Sequence, residues 1–227
     1  MKFTFHRIPV GIDNCFILCG ERTIFIDGGA WGGLSSFKSG LERLNVDPTE
    51  IELILLTHGH WDHITCLGDI QKMTGAKVAV HGRDQFMVET GEPPFPDGVN
   101  AWGRFMSWSA KKTLRRKLPK VKVDVVIGDN GMSLKEYGIP GKVIYTPGHS
   151  MGHVSIILDS GDAFVGDMAM NDWYLRRTPG LPVLADDINM VVESWRKILP
   201  MGIKRVYPAH GMDFPVAIMK SEIEKFK

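Results

Sequence analysis

A short segment of the chain carries three histidines and an aspartate within six residues. The segment THGHWDH covers residues 57–63 and follows the apolar run IELILL of residues 51–56. Imidazole nitrogens and carboxylate oxygens are donors that bind borderline divalent ions such as zinc. The spacing is not that of a zinc-binding helix, in which two histidines lie four residues apart on one face. We therefore interpret the segment as a metal-binding loop at the end of a buried strand.

The spacing within this segment predicts two neighbouring metal positions. Residues two apart in an extended chain point to the same side, so His58 and His60 can share one ion. Asp62 and His63 come where the chain turns into the next helix, and there they are free to face a second ion. These four donors are too few for two ions, because a single zinc ion typically takes four ligands.

Three further donors stand where other apolar runs give way to glycine or proline. His149 follows VIYTPG, Asp167 follows DAFVG, and His210 follows KRVYPA. Each alone is typical of a loop edge, but together they complete the donors for two ions. Asp27, in IDGG, is predicted to orient a ligand histidine or the THGHWDH loop through hydrogen bonds. Simple strand termination is the alternative role for Asp27.

The remaining histidines and the cysteines are interpreted as structural. His6, His81 and His153 lie in or beside apolar runs, and His153 is the one that could also touch the ligands or the substrate, because it follows His149 closely. The three cysteines, Cys15, Cys19 and Cys66, indicate core positions and a reducing compartment rather than a disulfide framework. Trp61 either shapes access to the metals or packs beneath the loop.

The elements that must position these donors alternate along the chain. An antiparallel meander over the first 27 residues is followed by the helix LSSFKSGLERLN, the strand IELILL, the helix ITCLGDIQKMTG and the strand AKVAVH. The second half adds VKVDVVI, MSLKEY, GKVIYT, HVSIILDS, DAFVGD and KRVYPAHG as strands, with DDINMVVESWRKIL and FPVAIMKSEIEKF as helices. We predict one α/β domain over residues 1–227, a four-layer αββα sandwich of two mixed sheets flanked by helices.

A segment of about residues 91–118 interrupts this pattern. Residues 91–98, GEPPFPDG, are rich in proline and glycine, and the following residues show a loose helical spacing. We predict an inserted helical flap and consider it as a substrate lid formed by Trp102, Phe105 and Trp108. The alternatives are that these aromatic residues pack in the core or form a dimer contact. The basic run of residues 111–117 is interpreted as the solvated face of the helix.

Composition restricts the partners. The formal charge of +1 over 227 residues creates no general attraction to nucleic acid or to a membrane surface. We find neither a signal-peptide pattern at the N-terminus nor the run of about 20 apolar residues that a membrane helix requires. The sequence therefore predicts a cytoplasmic protein that acts on a small molecule, without nucleic-acid or membrane partners, and it is compatible with an oligomer.

Taken in order, the motifs IDGG, THGHWDH, TPGHS, GD and PAHG resemble those of the metallo-β-lactamase-fold superfamily, and they span residues 27–210. The resemblance implies an αββα sandwich with the site at one edge, between the two sheets. It implies a first ion held by His58, His60 and His149, a second held by Asp62, His63 and His210, and Asp167 bridging both. Two zinc ions are the expected cofactor, and iron or manganese also fits these donors.

This arrangement favours hydrolysis. A hydroxide that bridges two ions can attack a small ester, lactone or thioester, and Asp62 can carry the proton to the leaving group. The alternatives are a phosphodiesterase or nuclease of the same fold, a mononuclear iron dioxygenase, or a non-catalytic metal-binding module. The acyl-homoserine-lactone lactonases of this superfamily place a tyrosine close after the bridging aspartate, whereas Tyr174 stands seven residues after Asp167 in this chain.

Overall fold

The computed structural model describes residues 3–113 and 117–226 and contains two β-sheets of six strands each. The first sheet follows chain order, and its strands are β1 Thr4–Val10, β2 Asp13–Cys19, β3 Thr23–Ile26, β4 Ile51–Leu55, β5 Lys77–His81 and β6 Val125–Ile127. β1, β2 and β3 pair antiparallel, while β3, β4, β5 and β6 run parallel. The first sheet is therefore mixed.

The second sheet has the spatial order β12-β11-β10-β9-β8-β7. Its strands are β7 Met132–Ser133, β8 Gly141–Tyr145, β9 Val154–Leu158, β10 Asp162–Met170, β11 Arg205–His210 and β12 Phe214–Pro215. All neighbours pair antiparallel except β10 and β11, which run parallel. The second sheet is therefore also mixed.

Within residues 3–113 and 117–226, seven α-helices accompany the sheets. They are α1 Leu34–Leu44, α2 Trp61–Ile64, α3 Leu67–Thr74, α4 Gln85–Thr90, α5 Ala101–Thr113, α6 Ile188–Ile198 and α7 Ala217–Glu224. Short 3-10 turns cover Pro48–Glu50, Lys135–Tyr137 and Leu199–Met201. Among the described residues, none of these helices has both the length and the apolar character of a membrane span.

Three apolar clusters lie between the four layers of helices and sheets and hold these layers together. Because alternate residues of a strand face opposite sides, Cys15 and Ile17 of β2 pack with α1 and α3, while Phe16 and Leu18 pack against the second sheet. On the far side of the second sheet, Trp195 of α6 and Met219 of α7 are buried against β10 and β11. The predicted αββα sandwich is confirmed.

Some predicted elements are shorter in the structure. MSLKEY contains only two strand residues before the 3-10 turn, and in VKVDVVI only Val125–Ile127 pair. The helix predicted over ITCLGDIQKMTG begins as α3 only at Leu67, and a division separates it from the short α2, which covers the end of the segment THGHWDH that was predicted as a loop. The division has a local cause, because the backbone N–H of Cys66 donates to the carbonyl of Gly29 at 3.2 Å instead of to a helical carbonyl.

The flap is tied to the core at several points. Residues 91–97 have no regular structure, α5 follows, and residues 114–116, which include Leu114 and part of the basic run, lie outside the described residues. The backbone N–H of Val99 donates to the carbonyl of Val183 at 3.0 Å, and within the flap itself the Ser107 hydroxyl donates to the carbonyl of Pro96 at 2.8 Å. Gly103 allows α5 to approach Val183, because a Cβ there would overlap the carbonyl oxygen of Val183. The flap is therefore packed against the core.

Candidate metal centre

The seven predicted donors lie together at one edge of the sandwich. They come from the loop after β4, from α2, from the loop after β8, from within β10 and from the end of β11. Together with Asp13, their ligand atoms form overlapping groups whose members lie within 4.8 Å of one another. The groups are His58, His60 and His149; Asp13, Asp62, His63 and His210; and His58, His63 and Asp167.

The first group consists of three buried imidazoles. Nδ1 of His60 lies 3.0 Å from Nε2 of His149. Nδ1 of His149 contacts the carbonyl oxygen of Leu184 at 2.9 Å, and as the donor there it leaves Nε2 to face the cluster. Nδ1 of His58 lies 3.1 Å from the Thr57 hydroxyl, so its other nitrogen is free for a ligand. Such contacts set which ring nitrogen can bind a metal.

The second group is rich in carboxylates. Nε2 of His210 lies 3.3 Å from Oδ2 of Asp62 and 3.4 Å from Oδ2 of Asp167. Asp167 also lies 3.4 Å from Nε2 of His149 and 3.5 Å from Nε2 of His63. This single carboxylate therefore contacts histidines of both groups.

The two groups differ in their electrostatics. Burial lowers the pKa of His58 well below its usual range, and burial beside His149 lowers the pKa of His60 to about 3. Burial by itself would also lower the pKa of His63 and His210, but nearby carboxylates, Asp167 among them, raise both pKa values well above the usual range. The imidazoles of the first group are therefore uncharged at neutral pH, whereas the second group combines imidazoles with negatively charged carboxylates.

Several of these buried atoms make no hydrogen bond within the described residues. They include Nε2 of His58, Nε2 of His63 and Oδ1 of Asp167. Buried polar atoms are normally hydrogen-bonded, and neutral imidazoles and carboxylates are the forms that bind metal ions. The donor set therefore fits divalent cations.

Asp27 lies directly behind the cluster. Its Oδ1 accepts from the backbone N–H of Thr57 at 2.7 Å, and its Oδ2 lies 3.1 Å from Nδ1 of His63. The residue has a φ of 66°, a left-handed conformation that aspartate adopts more readily than most residues. The structure thus places this carboxylate in contact with both the loop and a histidine.

Asp84 is a structural carboxylate that the sequence interpretation did not select. It is fully buried and accepts three hydrogen bonds: from the backbone N–H of Gly59 at 3.0 Å, from the Ser150 hydroxyl at 2.6 Å and from the backbone N–H of Gly152 at 2.8 Å. It therefore joins the loop of His58 and His60 to the loop of His149. Its position three residues after β5 is the same strand-end signal that identified the predicted donors.

Of the other residues predicted to be structural, only His153 borders the cluster. His153 is buried with its ring 5.2 Å from that of His58, and its Nδ1 contacts the Thr146 hydroxyl at 3.1 Å. His81 stacks on Tyr145 and lies 3.1 Å from Asp129, outside the cluster. His6 lies on β1, at the surface. The three cysteines are free.

An apolar cleft opens onto the cluster. No lysine or arginine is among the described residues that line the cleft. The lining residues are Ile12, His60, Trp61, Asp62, Phe95, Pro96, Met106, His149, Asp167, Met170, Tyr174, Leu175, Leu184 and His210. Trp61 stacks on Trp31 with ring centroids 4.9 Å apart, so it borders the cleft and packs at the same time.

The aromatic residues predicted as a lid do not line the cleft. Trp102, Phe105 and Trp108 are about half exposed and are not among the lining residues. The flap instead contributes Met106, together with Phe95 and Pro96. Successive helical residues are rotated by about 100°, so Met106 faces another direction than Phe105. The flap covers the cleft with different side chains from those predicted.

Two polar residues of the site were missed. Asp13 is 1% exposed, and its Oδ1 lies 3.4 Å from Nε2 of His210. Tyr174 lines the cleft, and its hydroxyl oxygen is buried without a hydrogen-bond partner in the described chain. Burial raises the pKa of the Tyr174 hydroxyl to about 12. An aspartate directly before the apolar run NCFILC was a signal for Asp13, whereas the position of Tyr174 requires the fold.

Comparisons with known proteins agree with this fold. The chain is 31% identical to the metallo-beta-lactamase fold-containing protein ST1585 of Sulfurisphaera tokodaii, over 97% of this chain and 83% of that protein. It is 26% identical to the probable metallo-hydrolase MJ0888 of Methanocaldococcus jannaschii, over 87% of each chain.

Solved structures also superpose well. The crystal structure of ST1585 from Sulfolobus tokodaii has a TM-score of 0.69 at 27% identity, covering 97% of this chain and 85% of that one. TTHA1623 in a di-iron-bound form has a TM-score of 0.66 at 21% identity, covering 92% and 93%. The sequence model described as the metallo-beta-lactamase superfamily matches residues 8–210, nearly the whole chain. The chain therefore belongs to the metallo-beta-lactamase superfamily.

Proposed function

We propose that this protein is a metal-dependent hydrolase that uses two divalent ions to cleave a small ester, lactone or thioester with an apolar acyl group. The observation that carries the proposal is the apolar cleft that ends on the paired histidine and aspartate groups. The relative MJ0888 is named a probable metallo-hydrolase, which supports metal-dependent hydrolysis as the reaction class.

The residues divide between two metal positions. His58, His60 and His149 would hold the first ion, and Asp62, His63 and His210 the second. Asp167 would bridge them, because it contacts histidines of both groups. Two ions here would supply Lewis acidity toward the substrate carbonyl and toward the attacking water. Zinc fits the donors, as do iron and manganese, and TTHA1623 is a structural neighbour with a di-iron form.

Asp62 is the group proposed to move the proton. It lines the cleft, and its Oδ2 lies 3.3 Å from Nε2 of His210. Burial alone would raise its pKa, but the hydrogen bond from His210 and the charge of His63 leave the pKa below its usual value. Asp62 is therefore ionised at neutral pH and can accept a proton from water, then pass it to the leaving group.

The cleft itself would select the substrate. Its apolar lining favours an alkyl or acyl chain, and the hydroxyl of Tyr174 is available to donate to a carbonyl oxygen. A phosphodiester would bring a negative charge to a cleft in which no described lining residue is a lysine or arginine. Acyl substrates therefore fit the cleft better than phosphodiesters.

A substrate screen tests this proposal. p-Nitrophenyl esters of increasing acyl length, lactones and thioesters should be hydrolysed, with kcat/KM rising with acyl length, and chelation should abolish the activity. Bis-p-nitrophenyl phosphate should be turned over far more slowly. Faster turnover of the phosphodiester would replace the proposal with a phosphodiesterase, and oxygen consumption by an iron-loaded protein would replace it with a dioxygenase. Tight metal binding without turnover of any of these substrates would indicate a binding module.

A further inference from the structure

Asp13 is a buried carboxylate that lies outside the set of seven donors. It is the first residue of β2 and is 1% exposed. Neither of its oxygens makes a hydrogen bond within the described residues. A buried carboxylate without donors is costly unless it is paired with positive charge or coordinates a metal ion. The surroundings of Asp13 must therefore supply that compensation.

The atom that Asp13 faces distinguishes its role from that of an orienting carboxylate. A carboxylate that orients a ligand histidine contacts the ring nitrogen that does not bind the metal. Asp27 follows this rule, because it contacts Nδ1 of His63 and leaves Nε2 toward the cluster. Asp13 instead lies 3.4 Å from Nε2 of His210. It is therefore on the metal side of that ring.

Two predicted ligands face the same nitrogen. Oδ2 of Asp62 lies 3.3 Å and Oδ2 of Asp167 lies 3.4 Å from Nε2 of His210. Three carboxylates thus converge on one imidazole nitrogen, and Asp13 is at the same distance as the bridging aspartate. Like charges so close repel one another unless a cation lies among them. In the metal-free chain the proton that the raised pKa of His210 retains supplies that charge, and a bound metal ion would take its place.

The position of Asp13 is held by contacts of its neighbour in the chain. The side-chain amide of Asn14 donates to the carbonyl of Gly211 at 2.6 Å and to the carbonyl of Pro208 at 3.3 Å. These contacts connect the start of β2 in the first sheet to the end of β11 in the second. Asp13 and His210 are therefore kept together by the packing of the two sheets.

We propose that Asp13 is a further ligand of the second metal position. This inference rests on the proposed pair of metal positions, and it adds a third carboxylate to the ligands of the second position. The first position has three imidazoles and Asp167, whereas the second then has three carboxylates with His63 and His210. Oxygen donors suit manganese better than imidazoles do. The second position should therefore bind Mn²⁺ more favourably, relative to Zn²⁺, than the first does.

Calorimetric titration of the metal-free protein with Zn²⁺ and with Mn²⁺ tests this. Wild-type protein should bind two equivalents of Zn²⁺. Asp13→Asn should lower the affinity for the second equivalent by at least about tenfold and leave the affinity for the first unchanged. The loss of affinity at the second position should be larger for Mn²⁺ than for Zn²⁺. Asp186→Asn is the matched control. Like Asp13→Asn, it removes a carboxylate close to a predicted ligand, since the backbone N–H of Asp186 donates to the carbonyl of His149 at 3.1 Å. The Asp186 carboxylate itself belongs to none of the described ligand groups.

The outcomes separate the inference from the proposed function. Fewer than two equivalents on the wild-type protein would refute the pair of positions, whereas two equivalents with unchanged affinities in Asp13→Asn would refute only the ligand role of Asp13. A crystal structure of the zinc-loaded wild type decides the case even if the variant does not fold. An Asp13 oxygen at about 2.0 to 2.2 Å from the second ion supports the inference, and an oxygen outside bonding distance overturns it.

Discussion

The two ring nitrogens of His63 face two different carboxylates. Nδ1 lies 3.1 Å from Oδ2 of Asp27, and Nε2 lies 3.5 Å from Oδ1 of Asp167. Asp27 therefore fixes the orientation of the ring, and Asp167 lies on the side that would bind metal. The same Asp27 carboxylate also holds the backbone of Thr57, directly before His58.

Asp27→Ala should therefore weaken metal binding without removing a ligand. We expect the affinity for the second ion to fall by about 10-fold to 100-fold, because partners of ligand histidines typically contribute that much. Calorimetric titration measures the effect. Asp129→Ala is a matched control, since Asp129 also lies 3.1 Å from a histidine, His81, away from the cluster. Equal losses in the two variants would contradict the orienting role.

Asp84→Asn should reduce stability, because the carboxylate joins two loops that carry donors. Hydrogen bonds to a charged acceptor contribute more than neutral ones, so we expect the free energy of unfolding to fall by about 3 kcal/mol. Urea denaturation of the metal-free protein measures this. Ser150→Ala removes only one of the three hydrogen bonds and should cost about 1 kcal/mol. If Asp84→Asn cost no more than Ser150→Ala, Asp84 would not join the loops as described.

Tyr174→Phe should separate activity from stability. The hydroxyl oxygen is buried and has no partner among the described residues, so its removal should leave the free energy of unfolding unchanged or slightly higher. If the hydroxyl donates to the substrate, kcat/KM for ester hydrolysis should fall about tenfold. Denaturation and steady-state kinetics check the two parts. A stable variant with full activity would exclude the hydroxyl from substrate binding.

Met106→Trp should narrow the cleft, because Met106 is a lining residue from α5. We expect kcat/KM for p-nitrophenyl octanoate to fall about tenfold, since the loss of even two buried methylenes costs more than 1 kcal/mol. The acetate ester should be little affected. Phe105→Trp places the same side chain at the adjacent, exposed position and is the control. Similar losses for both variants would show that acyl chains do not occupy the cleft.

Particular residues show what could be predicted from the sequence. The αββα fold followed from the alternation of apolar strands with helices along the chain. In the structure, β2 is apolar on both faces, because Phe16 and Ile17 pack in different layers. The seven donors were recognisable because each is polar and follows an apolar run, either in the loop and short helix after β4 or near the end of another strand. Donors at such positions meet when the strand ends share one edge of the sandwich.

Other features depend on packing that periodicity does not encode. Trp102 and Phe105 suggested a lid because they are large and aromatic, but which face of α5 meets the cleft depends on the contact between Gly103 and Val183. Asp13 contacts His210 because the start of β2 packs against the end of β11, where Asn14 donates to the carbonyls of Pro208 and Gly211. A contact between residues so far apart in sequence leaves no local pattern.

The central claim is that two ions in the paired groups support hydrolysis of an acyl substrate. The most direct test adds Zn²⁺ stepwise to the metal-free protein while p-nitrophenyl ester hydrolysis and bound metal are followed together. The account predicts little activity after one equivalent and a plateau at two equivalents per chain. Full activity at one equivalent, or no hydrolysis with two ions bound, would contradict it.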